Sequence, residues 1–155
     1  MSVCTNTIIN QLKAGNKNFV KLLASYNSND WLVKARFNKY NYTPTVIYKD
    51  DQVSLKIVTW LRGQNSGIHT HKDLCCYRII KGELIEYLYE PLNCDMVDVK
   101  TRKESEICGA NNKYYHMMKN VGSEYAVSLH IYYCNKENHN DCFGDTDCDD
   151  INGNE

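Results

Sequence analysis

His69 and His71 stand two residues apart in the run from Gly63 to Gly82, which reads as extended chain. Side chains alternate faces along a strand, so both imidazoles are expected on one side of a sheet. There their neutral ring nitrogens can share one metal ion. A second polar row occurs in Ala126-Val-Ser128-Leu-His130-Ile-Tyr132. Ser128, His130 and Tyr132 alternate with Val127, Leu129 and Ile131, so the three polar groups share a face. As chemistry, the serine orients the imidazole, and the imidazole sets the phenol as a donor or proton relay. As plain architecture, the same alternation is an amphipathic strand with its polar face in water.

The elements that must hold these residues are mostly strands. Residues 5–28 carry apolar positions at helical spacing, Ile8, Ile9, Leu12 and then Phe19, Val20, Leu22, Leu23. Gly15 divides them into two short helices, because a mid-helix glycine costs about 1 kcal/mol. A third short helix is expected over 30–39. From Thr45 the period changes to two: strands are expected at 45–49 and 53–62, flanking an Asp50-Asp51 turn. Further strands are expected at 67–71, 74–81, 83–90, 95–100, 103–107, 114–118 and 125–134.

The 155 residues fit one domain with a real core, residues 1–134, followed by an acidic, flexible tail, 135–155. That tail holds seven acidic side chains against one lysine, with almost no apolar residues. The 43% hydrophobic content and twelve tyrosines suit a mostly-β globule. No block of basic residues argues for nucleic acid. No apolar run approaches the roughly 20 residues of a membrane helix, and no signal-peptide core opens the chain. The expectation is a cytoplasmic monomer whose eight cysteines are free thiols, buried, reactive or ligating.

At its spacings the first run resembles the first cupin motif, G-x5-H-x-H-x3-4-E-x6-G. Gly63, His69, His71 and Gly82 fall in register, with Cys75 where glutamate usually stands. His116-Met-Met-Lys-Asn120 matches the H-x3-N ending of the second cupin motif, although Asn111 and Lys113 occupy the places of its proline and glycine. The resemblance implies a single cupin (jelly-roll-like) β-barrel with short N-terminal helices, and makes His116 the third metal ligand. Three neutral imidazoles leave open coordination positions, as a catalytic metal requires.

Taken together, His-x-His, a cysteine shortly after it, a later histidine and Ser-x-His-x-Tyr resemble the cysteine dioxygenase family of thiol dioxygenases. The likeness runs from about Tyr42 to Tyr132 and includes Trp60 before the histidine pair. It implies Fe(II) on His69, His71 and His116, a thiol substrate bound through sulfur, O2 as co-substrate and a sulfinate product. Tyr132 would lie beside the bound thiol and dioxygen with His130 and Ser128 behind it, and Tyr42 would touch substrate. Animal-type members join a cysteine to that tyrosine by a thioether. The animal spacing from His71 selects Cys76, whereas the spacing back from Gly82 selects Cys75. Alternation favours Cys75, which shares a face with Tyr77 and Ile79, while Cys76 shares the face of Arg78, a residue that prefers solvent. Where the family has a carboxylate-gripping arginine after a Tyr-Thr pair, this chain has Tyr42-Thr43-Pro44. Arg36, Lys39 or Arg62 are the candidates to replace it, so cysteine, cysteamine and 3-mercaptopropionate all stay open as substrates. Two other readings are a cupin enzyme on a non-thiol substrate and a non-catalytic cupin sensor that binds metal without turnover.

Overall fold

Val53–Trp60 is buried along almost its whole length, and Ala126–Tyr133 along most of its own, on both faces of the pleat. A strand buried on both faces must sit between two layers, and these two lie side by side at the centre of the larger sheet. The computed structural model describes residues 1–111, 113–135 and 137. In chain order the strands are β1 (Thr43–Lys49), β2 (Val53–Trp60), β3 (Leu74–Lys81), β4 (Glu83–Tyr89), β5 (Met96–Lys103), β6 (Ile107–Asn111), β7 (Tyr115–Lys119) and β8 (Ala126–Tyr133). They form a five-stranded sheet, β1-β2-β8-β3-β6, and a three-stranded sheet, β5-β4-β7. All named pairs are antiparallel. This is a mostly-β cupin architecture with short N-terminal helices.

Period-2 alternation gives each central strand two jobs. Leu55 and Ile57 of β2, Leu129 and Ile131 of β8 and Cys76 of β3 face the helices, packing with Ile8, Leu12, Phe19, Leu22, Leu23 and Trp31. The opposite faces supply Val58, Trp60, Cys75, Tyr77, Ile79 and Ala126, which meet Leu84 and Met118 of the smaller sheet. The functional residues therefore belong to the inner layer, and the helices seal the outer one.

The helices are α1 (Thr5–Lys13), α2 (Phe19–Ser25) and α3 (Trp31–Lys34). The break between α1 and α2 falls at Gly15, and the Asn18 side chain caps α2 by accepting from Lys21 N. The expected helix over 30–39 shrinks to four residues. Only Trp31 among them is buried, while Leu32 and Val33 are exposed, so a second turn gains no packing.

Asp50 makes the β1–β2 turn, its Oδ1 accepting from Gln52 N and Val53 N. The chain passes from the larger to the smaller sheet at Gly82, whose φ is +74°. A Cβ there would lie 2.9 Å from Tyr125 O, so the site demands glycine for both conformation and space. The strand expected at 103–107 is a correction: β5 runs on to Lys103, a turn follows with Ser105 at φ +74°, and β6 begins at Ile107. The expected strand over 67–71 is also corrected. Its chain forms no continuous ladder with the smaller sheet among the described residues: it meets β7 at isolated bridges, Asn65 with Lys119 and His69 with His116, and through Ser66 N to Met118 O at 2.9 Å. Gly67, at φ +70°, interrupts the extended run, and its N–H donates to the Asn65 side chain. The acidic tail lies outside the described residues, apart from Asn135 and Glu137. Among the described residues no helix is long and apolar enough to cross a membrane.

Candidate metal centre

His69 and His71 lie on the bridging loop rather than on a regular strand, yet their imidazoles converge with that of His116. His69 and His116 form a mutual backbone pair, His69 N to His116 O at 2.9 Å and His116 N to His69 O at 2.7 Å. That pair clamps the loop onto β7. The three histidines each offer one ligand atom, all within 4.8 Å of one another. His116 Nε2 stands 2.9 Å from His71 Nε2 and 3.0 Å from His69 Nε2.

The tautomers decide what those short distances mean. His116 Nδ1 lies 2.9 Å from the Glu86 carboxylate, and His69 Nδ1 lies 3.1 Å from Gly67 O. Both partners are acceptors only, so each Nδ1 carries the proton and donates it. In the neutral rings, both Nε2 atoms then present lone pairs to one another with no proton between them. A shared cation turns that repulsion into attraction. A spacing near 3.0 Å is also that of adjacent ligand atoms bonded at roughly 2.1 Å to one ion. Burial foremost, and then the neighbouring imidazoles, depress His69 to about 4 and His71 to about 2, so both are unprotonated ligands at neutral pH. The donor set fits a metal ion.

Glu86 was not anticipated from sequence. It sits on β4 with 2% exposure, its Oε2 accepting from His116 and its Oε1 accepting from Arg102 Nε at 3.1 Å and Nη2 at 2.7 Å. Burial alone would raise its pKa, but the bonds from His116 and Arg102 outweigh that and hold it at about 2. A carboxylate fixing the far nitrogen of a ligand histidine orients the ring and strengthens it as a donor. The signal was present: Leu84-x-Glu86-x-Leu88 puts a charge on the apolar face of a strand, which only a buried partner makes tolerable.

The Ser128–His130–Tyr132 row does not face water. Ser128 is 0% and His130 4% exposed, so the amphipathic-strand alternative fails. Trp60 Nε1–H donates to Ser128 Oγ at 2.9 Å, and Ser128 Oγ lies 2.7 Å from His130 Nε2. Tryptophan is a donor only, so the serine proton goes on to Nε2, and the neutral imidazole carries its own proton on Nδ1. Burial, foremost, depresses His130 to about 3, which keeps it neutral. Nδ1 in turn lies 3.4 Å from Tyr132 Oη and 3.6 Å from Cys75 Sγ. The relay thus runs from Trp60 through Ser128 and His130 to Tyr132. Burial raises both Tyr132 and Cys75 well above their usual ranges, leaving a neutral phenol and a neutral thiol.

Cys75 and Tyr132 are directly opposite across the β3–β8 pair, and both reach His130 Nδ1. Cys76 points to the other layer, among the residues beneath the helices. Arg78 is on that layer too, but its Nη1 donates to Leu23 O and Tyr26 O, both at 2.7 Å, rather than pointing into solvent. A cavity of about 60 Å³ opens at the histidines, bounded by Tyr42, Pro44, Trp60, His130 and Tyr132, with Lys56 among its walls. Tyr42 stacks on Trp60, ring centroids 4.9 Å apart. None of Arg36, Lys39 and Arg62, expected as replacements for the missing arginine, lines it. Arg36 Nη1 is tied to Val33 O and Ala35 O, and Lys39 Nζ lies over the Tyr40 ring. Asn120, the last residue of the second motif, is structural: its side chain donates to Trp60 O and Glu124 O and accepts from Gly122 N.

Comparison with known proteins agrees with this architecture. The family model described as cysteine dioxygenase type I matches residues 2–141. The cysteine dioxygenase type 1 of Bos taurus is 30% identical over 140 residues, covering 81% of this chain and 70% of its own. An uncharacterized conserved protein with a double-stranded β-helix domain from Klebsiella pneumoniae superposes with TM-score 0.58 at 17% identity, covering 68% of this chain and 89% of that one. The cupin domain of Schizosaccharomyces pombe Cnp3 gives 0.58 at 12% identity, over 68% and 73%. At those identities the solved structures speak to the fold alone.

Proposed function

From the premise that this chain belongs to the cysteine dioxygenase type I family, we propose that it is a non-haem Fe(II) thiol dioxygenase. It converts a small thiol and O2 to the sulfinate. The observation that carries this reading is a three-histidine centre opening onto the same cavity as a half-buried, relay-held tyrosine. Fe(II) bound by His69, His71 and His116 would supply a site where thiolate sulfur and O2 meet. Because all three ligands are uncharged, a thiolate can bring the negative charge that soft sulfur ligation provides. The stoichiometry closes without an external reductant: sulfur gives up four electrons, O2 takes four, and both oxygen atoms end on sulfur.

The remaining roles belong to this chain's own side chains. His130 Nδ1–H, fixed by Ser128 and Trp60, holds the Tyr132 oxygen, leaving the phenol proton to donate toward substrate or oxygen. Tyr42, stacked on Trp60 in the cavity lining, presents its ring and hydroxyl to the substrate. Cys75, rather than Cys76, is the partner for a thioether to the Tyr132 ring. That bond forms with loss of two hydrogens to O2 and fixes the phenol in place. The protein acts as a cytoplasmic monomer on a diffusible thiol, with residues 1–134 as the catalytic domain.

The test is oxygen uptake with product detection by mass spectrometry. Protein loaded anaerobically with Fe(II) receives cysteine, cysteamine or 3-mercaptopropionate. Sulfinate with matching O2 uptake is the expected result for at least one thiol. Stoichiometric iron with no sulfinate from any of them would overturn the reading in favour of a sensor or of a non-thiol substrate.

A further inference from the structure

The cavity holds one lysine and no arginine, aspartate or glutamate among its described lining residues, and that lysine is Lys56. Its position follows from sheet register. Lys56 of β2 lies opposite His130 of β8, with Ser54 opposite Tyr132 and Val58 opposite Ser128. Residues directly opposite share a face, so Lys56 shares the inner face with the relay. Its Nζ stands 4.6 Å from the centroid of the Tyr132 ring.

We propose that Lys56 is the anchor for an anionic group on the substrate, so that the preferred substrate is a short thiol bearing a carboxylate. The assignment rests on the thiol dioxygenase reading and deepens it. With the sulfur at the histidines, a carboxylate on a short chain reaches the β2 wall, where a single ammonium in a largely neutral cavity attracts it. The cavity, about 60 Å³, is far below the roughly 300–1,000 Å³ of ordinary ligand pockets and admits only a small molecule. An aminothiol without a carboxylate sets its own cation toward Lys56, with no acidic side chain in the lining to offset it. Lysine is a compact point charge, so it recognises the anion without imposing the planar two-point geometry of a guanidinium. Pro44, on the neighbouring strand, contributes only shape to the same wall.

The test is calorimetric binding to anaerobic, Fe(II)-loaded protein, which reads affinity without turnover. The probes are 3-mercaptopropionate, its methyl ester and cysteamine, against the wild type, Lys56→Met and Lys56→Arg. A charged hydrogen bond lost on substitution corresponds to roughly a 10- to 100-fold weakening. The wild type should bind 3-mercaptopropionate at least tenfold more tightly than the ester or cysteamine. Lys56→Met should erase that preference while keeping full iron content, and Lys56→Arg should restore part of it. The acid-versus-ester comparison needs no variant, so a misfolded Lys56→Met leaves the test intact. Equal affinity for acid and ester, or an undiminished preference in Lys56→Met, overturns the assignment while thiol binding itself stands. If no thiol binds the iron-loaded wild type, the thiol dioxygenase reading falls and takes the assignment with it.

Discussion

Replacing Glu86 by glutamine removes one negative charge and one acceptor from a site that is 2% exposed. The carboxylate accepts three bonds, two from Arg102 and one from His116. An amide has one acceptor oxygen and a donor NH2. If the NH2 faces His116, donor meets donor, and the ring must move its proton to Nε2, the atom that points at the metal position. If it faces Arg102, the guanidinium loses its acceptors, but its side chain is 18% exposed and can turn toward water. Breaking a fully buried pair costs about 3–5 kcal/mol, so partial exposure of Arg102 puts this variant at or below about 3 kcal/mol of stability. The metal-site effect is separate: loss of the group that orients a ligand histidine typically weakens metal binding about 10- to 100-fold. The assay is an anaerobic Fe(II) titration against a competing chelator, at a temperature where both apo proteins are folded. His116→Ala, which should lose stoichiometric iron altogether, marks the lower limit. An E86Q protein binding Fe(II) with wild-type affinity would refute the claim that this carboxylate sets the His116 tautomer.

Other outcomes follow from the same geometry. If Cys75 joins Tyr132, intact-mass analysis after aerobic turnover shows a two-hydrogen loss that Cys75→Ser removes and Cys76→Ser retains; the reverse pattern would overturn the assignment. Gly82→Ala combines a left-handed φ with a Cβ 2.9 Å from Tyr125 O and should cost at least ~1–3 kcal/mol in denaturant melts; an unchanged midpoint would show that the sheet crossover is not constrained there. The apo protein should lose stability as pH falls from about 6.5 toward 4. The half-buried His69 and His71 and the buried His130 have folded pKa values depressed to about 4, 2 and 3. The unfolded chain therefore takes up protons that the fold excludes, at about 1.4 kcal/mol per pH unit for each imidazole while only the unfolded form is protonated. A flat apo melting temperature over that interval would contradict neutral histidines in the folded state.

Much of the site was legible because strand periodicity and motif spacing carry side-chain direction. Ser128, His130 and Tyr132 had to share a face, and Cys75 had to lie opposite Cys76. What periodicity could not tell was which face met water, since β8 is buried on both sides and its polar row looks the same either way. Placing His69 and His71 on a strand was wrong in its means. They sit on a loop whose single backbone pair with His116 does what a strand would have done. Glu86 and Lys56 were not legible for a common reason: within a strand pattern, a charge on an inward position looks the same as one facing water until the sheets are paired. Arg78 was expected in water and instead ties down the end of α2, because carbonyls at a helix C-terminus offer it acceptors. The missing arginine after Tyr42-Thr43 was visible in sequence. Its proposed replacement was not, because Lys56 is brought to the relay by the β2–β8 register and not by closeness in the chain.

The most direct test of the central claim is turnover under ¹⁸O2 with the Fe(II)-loaded protein and 3-mercaptopropionate, followed by mass analysis of the sulfinate. The account predicts that both sulfinate oxygens carry the label and that His116→Ala gives no product. Product with one labelled oxygen or none, or full activity without His116, would contradict it.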